Sequence, residues 1–240
     1  MLKFNKMLAV SFLTIFLLFV FTSYCFGNSA EPPSILIIVD NAPDDLEVGI
    51  YANGTYSKAN IKEKGTEKYY IFYSRELSTS ANYTLKVKST ESTFEMPFEA
   101  PLKSYDNIFT LDLKNRTLVS GKLLSRSLYL VVLRLTMTLI IEGLIFYLMG
   151  YRSKRSWIAF ITINSITQGT LNIWLNGISP LGGYIIVLLV LGEFFVFIFE
   201  VIAFLAFLKE NQWWRTLLFV ILANIVSLIV GGYAISILPI

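Results

Sequence analysis

Histidine is missing from this 240-residue chain, and cysteine occurs once, at Cys25. Without histidine there is no His-ligated zinc, no imidazole general base and no H-E-x-x-H protease helix. A single cysteine allows no disulfide within the chain. Charge is sparse as well: 15% of the residues are charged and the formal net charge is +3. The basic residues are scattered rather than gathered in a stripe, which argues against nucleic acid as a partner. There is no P-loop, no Gly-rich dinucleotide turn and no G-x-S-x-G elbow. These absences lead us to expect no cofactor and no enzymatic activity. The acidic stretch Asp40, Asp44, Asp45 and Glu47 lacks calcium-loop spacing and reads as a solvated turn.

Apolar residues are abundant. They make up 55% of the chain, and the mean hydropathy is +0.61. A soluble domain carries roughly 45–50%, so the composition points to a membrane protein. Residues 1–30 read as a secretory signal: Lys3 and Lys6 precede an unbroken apolar core over 8–21, followed by Gly27, Asn28, Ser29 and Ala30. A core this short favours cleavage, with an uncleaved anchor as the alternative.

Residues 31–120 are more polar and alternate with the period of a strand. Tyr83, Leu85 and Val87, then Phe94, Met96 and Phe98, then Phe109, Leu111 and Leu113 are each separated by single polar residues or proline. Segments 35–39, 46–51 and 69–73 add three further strands, and turn residues such as Asn53-Gly54 and Lys64-Gly65 divide them. About six short strands in this length predict an antiparallel β-sandwich.

Residues 121–240 predict a four-helix transmembrane bundle, with spans at about 128–149, 156–177, 184–208 and 216–238. The fold class is therefore an α+β membrane protein, with an extracytoplasmic β domain followed by membrane helices. Arg152, Lys154 and Arg155 follow the first span, and Lys209 and Arg215 follow the third. The loop between the second and third has no basic residue. The positive-inside bias thus places the two basic loops in the cytoplasm and the β domain outside.

Each span carries polar residues at helical spacing. Arg134, Thr138 and Glu142 lie four apart in the first; Asn164, Gln168, Asn172 and Asn176 follow the same step in the second. The third holds Glu193 and Glu200, and the fourth Asn224, Ser227 and Gly231. Such stripes must face the interior, since the opposite faces meet lipid. Counting the helical rise from the span ends, Glu142, Asn164, Glu200 and Asn224 lie about 10–12 Å from the cytoplasmic boundary. Gln168 and Ser227 are grouped with that layer as a polar intramembrane site. Nearer the outside, Arg134 is expected to pair with Glu193 beside Asn172, a structural ion pair. Two carboxylates in one dry layer call for a proton or a hard cation, and amide oxygens suit the same ligands. The competing reading is that these groups only hydrogen-bond between helices and fix their packing.

The stretch from Arg134 to Glu142, with Asn164-Ser-Ile-Thr-Gln168, Leu171-Asn172, Glu193, Glu200 and Ala223-Asn224-Ile-Val-Ser227, resembles a group of small bacterial membrane proteins with a secreted-type N-terminus and four spans. The likeness covers roughly residues 105–240. It implies a Gram-positive-type envelope protein and carries no activity to transfer. Three functions remain in view. One is a non-enzymatic accessory, assembly or sensing component in contact with membrane lipid and with another envelope protein or its own copies. The second is a proton- or cation-coupled transporter or channel subunit using Glu142 and Glu200. The third is an intramembrane carboxylate enzyme.

Overall fold

The computed structural model describes residues 34–52, 54–73, 77, 82–90, 92–99, 106–180 and 185–239. The predicted signal segment and Cys25 lie outside the described residues. Among the described residues nine strands come first: β1 (Ser34–Asp40), β2 (Glu47–Ala52), β3 (Thr55–Lys58), β4 (Asn60–Lys64), β5 (Glu67–Phe72), β6 (Asn82–Lys88), β7 (Thr93–Glu99), β8 (Asp106–Asp112) and β9 (Thr117–Ser120). They form a five-stranded sheet, β4-β5-β1-β8-β9, and a four-stranded sheet, β3-β2-β6-β7.

Side-chain alternation decides what each sheet buries. Ile35, Ile37 and Val39 of β1 share a core with Val48 and Ile50 of β2 and with Leu85 and Val87 of β6, so the two sheets pack face to face. The opposite face of the first sheet buries a smaller cluster: Leu36, Ile38, Tyr69 and Ile71. With both faces covered, β1 reads as a continuous apolar run rather than an alternating one.

The predicted all-antiparallel arrangement needs one correction. β1 and β8 are parallel, with Ile35 opposite Asn107. Between β1 and β8 the chain builds the whole second sheet and the β4–β5 edge of the first, then returns beside β1 in the same direction; parallel neighbours require a crossover of this kind. Alternation also does not predict β3, β4 and β9. All three are short, mostly exposed strands at sheet edges, where there is no second face to bury.

Four helices follow: α1 (Leu124–Leu148), α2 (Lys154–Asn176), α3 (Ile185–Phe207) and α4 (Trp213–Ile237). Each packs on its neighbour in sequence, and α4 packs back on α1. Three of them, α1, α3 and α4, are long and apolar enough to cross a membrane. The four predicted spans coincide with these four helices, of which α2 does not reach the apolarity of the others. At 23 residues α2 has the length, but Asn164, Thr167, Gln168, Asn172 and Asn176 make it too polar to match the other three. Leu171 of α2 fills the space beside Gly192 of α3, where any added Cβ would collide with it. A small residue here lets the two helices approach closely.

The β domain is bound to one end of these helices. Arg126, in the first turn of α1, holds the Glu67 carboxylate with two nitrogens, Nη2 donating to Oε2 at 2.7 Å. Both side chains are buried. Lys122 Nζ donates to the carbonyls of Asn176 (2.7 Å) and Ile178 (2.8 Å) at the C-terminal end of α2. Lys64, at the end of β4, donates to the carbonyls of Ile235 (3.2 Å) and Ser236 in the last turn of α4. The final carbonyls of a helix lack intrahelical partners and carry the negative end of its dipole, so a lysine ammonium suits both positions. At the far end, Glu210 accepts from the backbone N–H groups of Arg152 and Ser153 and ties the two basic loops together.

Candidate functional site

Four-residue steps put Arg134, Thr138 and Glu142 on one side of α1 and Asn164, Gln168 and Asn172 on one side of α2. In the fold these sides turn inward. Arg134, Glu142, Asn164, Gln168, Asn172, Glu193, Glu200, Asn224 and Ser227 are all buried, with Glu142 and Asn164 at 0% exposure and Glu200 at 1%.

The layer farther from the β domain is organised around Glu200. Its Oε1 accepts from the Thr167 hydroxyl at 2.7 Å, and its Oε2 accepts from Asn224 Nδ2 at 2.7 Å. Three helices therefore meet at one carboxylate. Glu142 comes in from the remaining helix, α1, within electrostatic reach of Glu200 and Glu193, with Ser227 Oγ beside it but outside hydrogen-bonding geometry. Both Glu142 oxygens lack a hydrogen-bond partner, as do both polar atoms of Asn164, Asn224 Oδ1 and Ser227 Oγ. Unmet polar atoms in a buried interior are costly and rare, and here they gather on three helices, α1, α2 and α4.

The layer nearer the β domain differs from the prediction. Arg134 and Glu193 are not directly paired. Arg134 Nη2 donates to the Pro239 carbonyl at 2.9 Å, just beyond α4, while its Nε and Nη1 have no partner. Glu193 Oε2 accepts from Gln168 Nε2 at 3.2 Å. Gln168 thus works in this layer and not in the Glu142 layer to which spacing assigned it. Asn172 donates to the Gln168 carbonyl one turn back, at 2.9 Å. The guanidinium and the carboxylate instead share the wall of a cavity of about 30 Å³, along with Thr138, Gln168, Asn172 and Ser227. That is room for about two water molecules. Ser227 belongs to the cavity wall and also stands beside Glu142, so it joins the two layers.

Beyond Glu142, away from the β domain, the interior becomes aromatic. Phe146, Phe160, Phe204 and Phe219 are all buried. The Phe146 ring lies 4.8 Å from Phe160 and 5.0 Å from Phe219, and Phe204 lies 5.4 Å from Phe219. Tyr151 stacks on Phe146 at 4.2 Å. Each ring sits about one helical turn from a polar residue on its own helix: Phe146 after Glu142, Phe160 before Asn164, Phe204 after Glu200, and Phe219 before Asn224. The polar layer therefore has an aromatic floor on one side and a small cavity on the other. Helical spacing of the polar residues reveals neither this floor nor the hydrogen bond of Thr167 to Glu200. The one-turn pairing of a ring with a polar residue in every helix was the signal for the floor.

Outside the helices, Lys122 is the electrostatically unusual group. Its ammonium is pushed down to about 7, first by burial and then by the positive charges of Arg126 and Arg134. An unfolded lysine holds its proton to about 10.4, so from about pH 7 to 10 the unfolded chain binds more protons than the folded one. Stability should then rise with pH across that window and level off below it. Lys122→Met should flatten this slope in melting curves taken from pH 7 to 10. An unchanged slope would assign the effect to another group.

No family model, curated protein or solved structure matches the chain, so the reading of its site stands on the geometry above.

Proposed function

We propose that the chain is a non-enzymatic integral membrane protein of the bacterial cell envelope, an accessory or sensing component whose β domain faces outward and engages a partner. The observation that carries this reading is the three-point attachment of the β domain to the helices, through Arg126–Glu67, Lys122 and Lys64. A domain on a flexible tether could bind without effect. One whose buried ion pair and lysines grip the ends of α1, α2 and α4 transmits a displacement to the helices that hold the polar site.

All four helices cross the bilayer in this proposal. The low hydropathy of α2 comes from residues turned into the interior, while Ile158, Ile161, Ile166 and Ile173 are exposed as lipid contacts. Arg152, Lys154, Arg155, Lys209 and Arg215 lie at the end away from the β domain, which supports a cytoplasmic position for that end. The test is made on the full chain in cells. Cysteine placed at Asn115 should react with a membrane-impermeant maleimide, and cysteine at Lys154 should react only after permeabilisation. A photo-crosslinking residue at exposed Tyr56, Ile61 or Val119 should then yield a discrete adduct with one envelope protein or with a second copy. Reversed labelling, or no adduct from any of the three positions, would overturn the proposal.

The aromatic floor weighs against a continuous pore in this conformation, so the transporter or channel reading stands second. The enzyme reading has no catalytic pair in its favour beyond two carboxylates.

A further inference from the structure

We infer that Glu142, Asn164, Asn224 and Ser227 form a binding site for an alkali metal cation, reached from the β-domain side. The inference deepens the proposed function, since it rests on the helices being membrane-embedded, but it does not depend on the partner of the β domain.

Three observations lead there. The first is a census of unmet groups. Glu142 Oε1 and Oε2, Asn164 Oδ1, Asn224 Oδ1 and Ser227 Oγ are five oxygens without a partner, against a single unpartnered nitrogen, Asn164 Nδ2. Carboxylate and amide oxygens face only two free donor groups, the Asn164 amide and the Ser227 hydroxyl, and no cation, so the pocket suits a cation better than an anion. The second is charge. The buried ionisable side chains of the helices are three carboxylates, Glu142, Glu193 and Glu200, and one guanidinium, Arg134. Glu200 is already held by two hydrogen bonds and Glu193 by one, so Glu142 is the carboxylate without a hydrogen-bond partner. The third is access. The phenylalanine floor closes the side away from the β domain, whereas Ser227 opens onto the cavity on the other side.

Ligand chemistry narrows the choice of cation. All the available donor atoms are hard oxygens, which excludes soft metals, and there is neither His nor Cys in the helices to recruit them. Among the described residues no three His, Cys, Asp or Glu side chains are grouped as a metal site. One unpartnered carboxylate with neutral amide and hydroxyl oxygens matches a monovalent ion better than Ca²⁺ or Mg²⁺, which favour more carboxylate charge. A site with one open side lets the ion bind and leave without crossing, as suits a sensor or a structural ion more than a conductor.

The experiment uses the purified full chain in lipid nanodiscs. Radiolabelled Na⁺ binding is measured by equilibrium dialysis, and unfolding is followed by tryptophan fluorescence as NaCl replaces choline chloride at fixed ionic strength. Saturable binding near one Na⁺ per chain is expected, with a matching rise in melting temperature. Glu142→Gln should abolish both effects, and Ser227→Ala should weaken binding by roughly tenfold. The lipid-facing Val132→Ala should change neither. If Glu142→Gln does not fold, Ser227→Ala and Asn164→Ala carry the comparison. Absence of saturable Na⁺ binding, equal binding by wild type and the folded variants, or a melting temperature that follows pH but ignores Na⁺ would each overturn the cation site. The last result would assign the layer to a proton. None of these outcomes alters the maleimide labelling or the crosslinks, so the two proposals fail separately.

Discussion

Glu67→Ala should lower the stability of the full chain by about 3–5 kcal/mol, the usual cost of removing one member of a buried ion pair. The Glu67 and Arg126 side chains are only 5% and 10% exposed, and the guanidinium holds both carboxylate oxygens. Alanine would leave the largely buried Arg126 guanidinium without its carboxylate. For a chain of this size each kcal/mol moves the melting temperature by about 2–4 °C, so a fall of roughly 10 °C is expected in detergent. Proteolysis at the junction between β9 and α1 should accelerate in parallel, because Arg126 ties the first turn of α1, next to that junction, to the β domain. The paired replacement Glu67→Leu with Arg126→Met separates charge from packing. It should recover most of the loss, since an apolar pair of similar volume is often as stable as the ions. A double variant as unstable as Glu67→Ala would mean that packing, not the stranded charge, sets the cost.

Phe146→Ala should have a comparable effect at the other end of the helices. Phe146 is fully buried and meets Tyr151, Trp157, Phe160 and Phe219. Removing a buried phenylalanine ring costs about 3–5 kcal/mol, part from lost transfer energy and part from the cavity left behind. The location of that cavity gives the variant a second, more specific consequence. It would open directly beneath Glu142, one turn away on the same helix. Vesicles containing the wild-type protein should hold a Na⁺ gradient, and those containing Phe146→Ala should lose it faster. A wild-type protein that leaks Na⁺ would refute the closed floor and return the transporter reading to first place. Phe194→Ala is the control: Phe194 is exposed on α3 and should affect neither stability nor leak beyond a few tenths of a kcal/mol.

The Glu142 layer was largely legible in the sequence because helical geometry is local. A rise of about 1.5 Å and a turn of 3.6 residues fix both the depth and the face of Glu142, Asn164, Glu200 and Asn224 once the spans are drawn. The same counting gave the layer of Arg134 but not its partner, and it misplaced Gln168, because their long side chains reach a full turn along the helix. Depth of the backbone does not set depth of the amide or guanidinium. Arg134 turns toward the Pro239 carbonyl, and Gln168 takes the carboxylate that arginine was expected to hold. In the β domain, alternation marked the strands that bury one face. It could not mark β3, β4 and β9, which bury almost nothing, or the direction of β8 beside β1.

Composition and periodicity by themselves determined that this protein joins a strand-rich domain to long helices with polar inner faces, and they excluded histidine chemistry and internal disulfides. Both follow from properties of residues and their near neighbours. Only the tertiary structure decided which polar atoms are satisfied. That depends on side chains from four helices arriving together, and on Lys64 and Lys122 reaching helix ends 171 and 54 residues away. Glu142 and Glu200 look alike in sequence, each a carboxylate in an apolar segment at similar depth. In the fold Thr167 and Asn224 complete one and leave the other bare, because hydrogen bonds need angstrom-scale placement across helices that sequence spacing within one helix does not supply.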